Sequence, residues 1–185
     1  AEELDMDALG IDICVTSTQK GLNIPPGLSI LFISKRLEGY EYAHRGYYWD
    51  FADNLDNLKR GQTPFSPATL IYLQLNARLR QLQAQGGEMY NISQVRHRAE
   101  VFRKECRRYG WTMPAENPSY AITAIQTKDT AGRRIFRGLI ERYETFIMPG
   151  SLPGFYRISH MGLQTDEELR TLAERIHLIE AEIDE

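Results

Sequence analysis

Ile11-Asp12-Ile13-Cys14-Val15-Thr16-Ser17-Thr18-Gln19-Lys20-Gly21-Leu22-Asn23-Ile24-Pro25-Pro26-Gly27 passes from an apolar, β-branched segment into a polar turn, and Leu28 to Ile33 forms a second apolar run. Both runs are short and bounded by Gly and Pro, a pattern that favours strands over helices. Lys20 is thereby placed in a stiffened connection between two strands. An amine at a strand end with apolar neighbours is expected to be partly desolvated, which disfavours the ammonium form. A neutral amine is what Schiff-base chemistry with a carbonyl compound requires. Read from chemistry alone, a solvated turn lysine is the simpler account.

The longer pattern decides between the two. Ser17-Thr18-Gln19-Lys20-Gly21-Leu22-Asn23-Ile24-Pro25-Pro26-Gly27-Leu28 resembles the cofactor-lysine segment of the class V aminotransferases. The branch it is most similar to is the alanine–glyoxylate or serine–pyruvate group, whose usual form is Ser-Gly-Ser-Gln-Lys followed by Pro-Pro-Gly. Thr18 stands where the second serine is commoner. The resemblance implies that Lys20 binds pyridoxal 5′-phosphate covalently and that Gln19 donates to its phosphate. In that family the phosphate loop, the aromatic residue stacked on the ring and the aspartate at the ring nitrogen lie upstream. Asp5, Asp7 and Asp12 fall too close to Lys20 to match that aspartate. The chain is therefore expected to correspond to the C-terminal half of such an enzyme and to be inactive as a fragment.

The implied fold is α/β, the C-terminal part of a fold type I pyridoxal-phosphate-dependent transferase. Residues 1–66 would be the incomplete end of the large domain, contributing edge strands to its sheet, antiparallel on either side of Lys20. Residues 67–86 would be a connecting helix, and 87–185 a small α+β domain.

Composition restricts the alternatives. The 185 residues are 42% hydrophobic and 25% charged, which is ordinary for a globular protein. A net charge of −3 offers no bulk attraction to nucleic acid or anionic membranes. No apolar run approaches the roughly 20 residues that span a bilayer. Glu2, Glu3, Asp5 and Asp7 do not fit a targeting segment. Cys14 and Cys106 lack metal-ligand spacing and read as buried thiols in a reducing compartment, so the cytoplasm is the expected location.

Further along, Tyr40, Tyr42, Tyr47 and Tyr48 crowd a polar connection and are read as packing a subunit interface. Trp49 to Arg60 is mixed. Gly61-Gln62-Thr63-Pro64-Phe65-Ser66-Pro67 marks a rigid turn. The family carries a similar Thr-Pro segment whose threonine binds the cofactor phosphate of the neighbouring subunit. This role passes to Thr63 and implies a homodimer with shared active sites. Arg60, three residues earlier, is open between a phosphate contact and a solvated charge. A helix is expected from Pro67, with Ile71, Leu75, Leu79 and Leu82 facing inward and Gly86-Gly87 ending it. Another runs from about Ser93 to Tyr109, burying Val95, Ala99, Phe102, Cys106 and Tyr109. Its other face is basic (Arg96, His97, Arg98, Arg103, Lys104, Arg107 and Arg108) and reads as solvated rather than as a nucleic-acid footprint. A strand over 120–127, a helix over 130–143 and short strands at 146–148 and 155–158 follow. Thr165-Asp166-Glu167-Glu168 is a capping-box signal for a last helix with Leu169, Leu172, Ala173, Ile176, Ile179 and Ile183 inward.

Phe155-Tyr156-Arg157-Ile158-Ser159-His160-Met161-Gly162 is similar to the family's Arg-Ile-Gly-His-Met-Gly segment, whose arginine grips the substrate α-carboxylate. A planar guanidinium suits two carboxylate oxygens. His160 reads as a packed histidine. The function implied is amino transfer between a small amino acid, such as alanine or serine, and a 2-keto acid, glyoxylate or pyruvate. No metal is implied. One rival is a cysteine desulfurase or another lyase on the same fold, but desulfurases carry His where Gln19 stands. The other is a non-catalytic α+β ligand-binding or interaction module.

Overall fold

The computed structural model describes residues 2–40, 46–130 and 133–183; Tyr42 lies outside them. The chain divides into two compact units, one of residues 4–81 and one of residues 82–183 with Glu2 and Glu3.

In the first unit, β1 (Ile13–Ser17) and β2 (Ser29–Ile33) form an antiparallel pair, with Cys14 opposite Phe32 and Ser17 opposite Ser29. The β-branched and aromatic content of both runs produces this hairpin, and Lys20 stands in its connection. Ile13, Val15, Leu31 and Phe32 all remain exposed. This corrects the expected desolvation, since Lys20 and Gln19 are exposed too. Cys14 is half-buried, not fully buried.

The stretch read as mixed contains a helix, α1 (Phe51–Lys59). Asp50 caps it by accepting from the Asp53 amide at 3.0 Å. Its two Asp-Asn pairs, Asp53-Asn54 and Asp56-Asn57, obscured the period, yet Asn57 is buried and donates to the Asp53 carbonyl at 2.8 Å. The connection before it packs onto the Thr63 turn, where Tyr48 stacks on Phe65 with ring centroids 4.8 Å apart.

Helix α2 (Thr69–Ala84) starts two residues after Pro67. Leu79, expected inward, is exposed, and Arg78 takes the inward place instead. The steps from Ile71 to Leu75, Arg78 and Leu82 keep one helical face, while Leu79 is rotated off it.

The second unit begins with α3 (Gly87–Arg108), which starts six residues earlier than expected. Gly86 and Gly87 both have positive φ, at 111° and 79°, so the chain reverses at this pair and a new helix starts at once. The unit's sheet has the order β3 (Ile122–Gln126), β5 (Phe155–Ser159), β4 (Met148–Pro149), antiparallel throughout. Helices α4 (Arg134–Tyr143) and α5 (Asp166–Ala181) complete it. Alternation puts Thr123, Ile125, Tyr156 and Ile158 on the buried face and Arg157 and Ser159 on the open one.

The core joins Phe102 and Cys106 of α3, the inner sheet face, Ile135 and Leu139 of α4, and Leu169, Ala173, Ile176 and Ile179 of α5. A Cβ at Gly138 would lie 3.0 Å from Ile179, so glycine permits the close approach of α4 and α5. Burial pushes the Cys106 thiol up to about 12. The capping box is formed as expected: Thr165 Oγ1 accepts from the Glu168 amide, and Glu168 accepts from the Thr165 amide.

Candidate functional site

The turn that carries Lys20 is held at its base by a threonine. Thr18 is fully buried, and its hydroxyl donates to the Pro25 carbonyl at 2.8 Å. Its own carbonyl accepts from the Ile24 amide at 3.3 Å, and the Lys20 carbonyl accepts from the Asn23 amide at 2.8 Å. Asn23 closes the turn with φ 55°, in the left-handed region that asparagine tolerates better than most residues. The eight residues from Thr18 to Pro25 are thus cross-braced, and the Lys20 and Gln19 side chains are exposed to solvent. A serine at position 18 supplies the same donor without the extra methyl, so the substitution keeps the clamp.

Arg78 was missed by sequence reasoning. Its Nε donates to the Leu22 carbonyl at 3.0 Å and its Nη1 to Gln81 Oε1 at 2.8 Å. The signal was present as an arginine in register with Ile71, Leu75 and Leu82.

Thr63 sits half-buried in its turn, with its hydroxyl donating to the Phe65 carbonyl at 2.6 Å. Arg60 donates to Asn57 Oδ1 at 2.6 Å. Lys20, Gln19 and Thr63 belong to the first unit and Arg157 to the second.

Arg157 occupies the middle of the central strand β5, between Ala124 of β3 and Met148 of β4. It is exposed, and no partner engages its guanidinium among the described residues. It borders an open cleft of about 1060 Å³ whose other walls include Phe146, Met148, Leu163, Thr165 and Arg175. An uncommitted guanidinium at such a place is free to receive an anion.

Behind the sheet lies a buried polar group. Arg103 Nε donates to Thr123 Oγ1 at 3.0 Å, and Thr123 Oγ1 is 2.8 Å from His160 Nε2. Arg103 also donates to the Ser119 carbonyl at 2.6 Å, and Arg98 to the Gln164 carbonyl at 3.0 Å. Arg98, Arg103 and His97, the last paired with Asp166, thus tie α3 to the rest of the unit, whereas Arg96 and Arg108 pair within the helix, with Glu100 and Glu105. The face is exposed at Arg96, His97, Lys104, Arg107 and Arg108, as its reading as solvated expected, and departs from that reading at Arg98 and Arg103.

Burial, with the charges of Arg103 and Arg98, lowers the His160 pKa from its ordinary 6.5 to about 4. The folded chain therefore binds fewer protons at His160 than the unfolded chain does between those values. Its contribution to stability is complete above about 6.5 and is lost as pH falls toward about 4. Urea melts across that window should show falling stability, and His160→Gln should flatten the dependence; an unchanged slope would sink the assignment. His160 is a packed residue, as the sequence reading expected.

Among the described residues no helix is long and apolar enough to cross a membrane. None of their His, Cys, Asp and Glu side chains group in threes to hold a metal ion.

No family model matches the chain. Curated proteins similar to it include an aspartate–glyoxylate aminotransferase, a soluble hydrogenase subunit and a serine–glyoxylate aminotransferase. L-aspartate–glyoxylate aminotransferase of Paracoccus denitrificans is 31% identical over 173 residues, covering 87% of this chain and 43% of that protein. The soluble hydrogenase 42 kDa subunit of Anabaena cylindrica is 25% identical over 192 residues, covering 99% and 49%. Serine–glyoxylate aminotransferase of Hyphomicrobium methylovorum is 26% identical over 172 residues, covering 87% and 42%. The chain spans about half the length of these curated relatives.

Among solved structures, aspartate aminotransferase from Thermus thermophilus superposes with a TM-score of 0.85 at 24% identity, covering 98% of this chain and 52% of that one. Alanine–glyoxylate aminotransferase from Nostoc sp. superposes with a TM-score of 0.83 at 19% identity, covering 96% and 50%. These likenesses show the fold, a mixed α/β arrangement matching about half of an aminotransferase.

Proposed function

We propose, starting from the chain's membership of the class V aminotransferases, that it supplies the covalent anchor and the carboxylate clamp of an amino-transfer site using pyridoxal 5′-phosphate. The observation that carries this reading is the braced turn, which holds the Lys20 backbone rigid while leaving its amine in solvent. The donor set suits an aldehyde that also bears a phosphate: a primary amine on Lys20, an amide on Gln19 and a hydroxyl on Thr63. When bound, the cofactor supplies an electrophilic carbon and a ring that delocalises negative charge.

Lys20 would hold that group covalently, and its amine would take the proton from the substrate Cα as a general base. Gln19 donates an amide N–H to the phosphate. The Thr63 hydroxyl, now given to the Phe65 carbonyl, turns to the phosphate held by a second copy of the chain, which makes the enzyme a homodimer. Arg157 fixes the substrate carboxylate through two parallel N–H···O bonds. The substrates are a small amino acid and a 2-keto acid, alanine or serine with glyoxylate or pyruvate. Free thiols at Cys14 and Cys106 suit a reducing cytoplasm.

The test is an assay of the enzyme that carries this chain, with alanine or serine as donor and glyoxylate as acceptor. Glycine formation that depends on added pyridoxal 5′-phosphate is expected. No glycine from any small amino donor would overturn the reading.

A further inference from the structure

We infer that Arg78 is a positioning residue for Lys20, an inference that rests on the role proposed for that lysine. Arg78 lies in the interior of α2, 56 residues from the carbonyl that it engages, and is only 9% exposed. That carbonyl belongs to Leu22, two residues past Lys20, inside the turn closed by the Asn23 amide. A charge-assisted bond to a backbone oxygen is stronger than a neutral one. Removing the donor leaves a partly buried carbonyl without this partner.

The same helix meets the far limb of the connection. Ile71, two turns before Arg78, packs so closely on Gly27 that a Cβ there would lie 2.9 Å from its Cγ1. Helix α2 thus meets the connection at two points, by packing at Gly27 and by a fixed donor at Leu22. Thr18 braces the turn from within, and Arg78 braces it from the helix. Gln81, one turn on, accepts from the same guanidinium and sets its rotation. The chemistry needs the Lys20 amine delivered from one backbone position, and a misplacement of about 1 Å costs roughly a hundredfold in rate.

The experiment uses the enzyme that carries this chain, freed of cofactor, with Arg78→Met and Arg78→Lys. Methionine keeps an apolar stem and removes the donor; lysine restores a charged donor. Pyridoxal 5′-phosphate is added, samples are reduced with borohydride at intervals, and the labelled lysines are mapped by peptide mass. In Arg78→Met the labelling rate at Lys20 should fall about tenfold relative to Lys35 and Lys59 of the same molecule, with partial recovery in Arg78→Lys. A general loss of stability would not single out Lys20. Amide exchange of Asn23 and Ile24 should quicken in Arg78→Met while the β1–β2 ladder stays protected.

Unchanged Lys20 labelling, or unchanged exchange at both amides, overturns the inference. If the unsubstituted enzyme labels Lys20 no faster than Lys59, the role of Lys20 itself fails, and the exchange comparison still decides whether Arg78 holds the turn. Should Arg78→Met not fold, Arg78→Lys is compared with the unsubstituted enzyme by the same two readouts, and equality in both overturns it.

Discussion

Lys20→Ala in the enzyme that carries this chain is expected to lower kcat by at least roughly a hundredfold, because the general acid–base role proposed for Lys20 would contribute about 10²–10⁴. The proposed covalent anchor would be lost with the same atoms, so cofactor should also be released more readily on dilution. The fold should survive. Lys20 is exposed, and the turn is braced by Thr18, Asn23 and Arg78 through groups that the substitution leaves in place. Added small primary amines should restore part of the turnover, since an amine is what was removed. Steady-state kinetics with and without such an amine, alongside circular dichroism, check the outcome. Turnover within about twofold of the parent would remove Lys20 from the chemistry.

If Arg157 clamps the substrate carboxylate as proposed, Arg157→Ala is expected to raise KM for the amino acid about 10–100-fold. Hydrogen bonds to a charged group contribute about 1.5–3 kcal/mol, and each 1.4 kcal/mol is about a factor of ten. The melting temperature should barely move, because the side chain is exposed and free of partners among the described residues. Arg157→Lys should recover only part of the loss, since an ammonium lacks the planar fork. An amine without a carboxylate should react equally with parent and variant. A KM unchanged for amino acids, or a loss of folding in place of binding, would refute the clamp.

The hairpin, the capping box and the inward face of α5 were legible because each rests on local chemistry: β-branched runs between Gly and Pro, Thr165 with Glu168, and a clean helical period. The lysine turn and the Arg157 segment were legible as motifs. What escaped were features fixed by partners distant in sequence. Arg78 was passed over for Leu79 because a charged residue on an apolar face counts against burial until its carbonyl partner, 56 residues away, is seen. Arg103 hid in a basic stripe for the same reason, its partners lying 16 and 20 residues away. α1 was obscured by its asparagines, whose side chains bond within the helix and break the apolar rhythm.

Glu180, in the last turn of α5, accepts from the Trp111 indole at 2.7 Å and from the Lys128 amide at 2.7 Å, and is itself buried. The same helix brings Leu169, Ala173, Ile176 and Ile179 to the core. During synthesis, α3, β3, α4 and β5 are therefore made with one wall of their core missing and the Trp111 indole open to water. Closure of residues 82–183 is set by the moment when residues 166–181 clear the exit tunnel. Until then the nascent unit exposes the apolar surface that α5 covers in the folded chain, surface of the kind that favours aggregation.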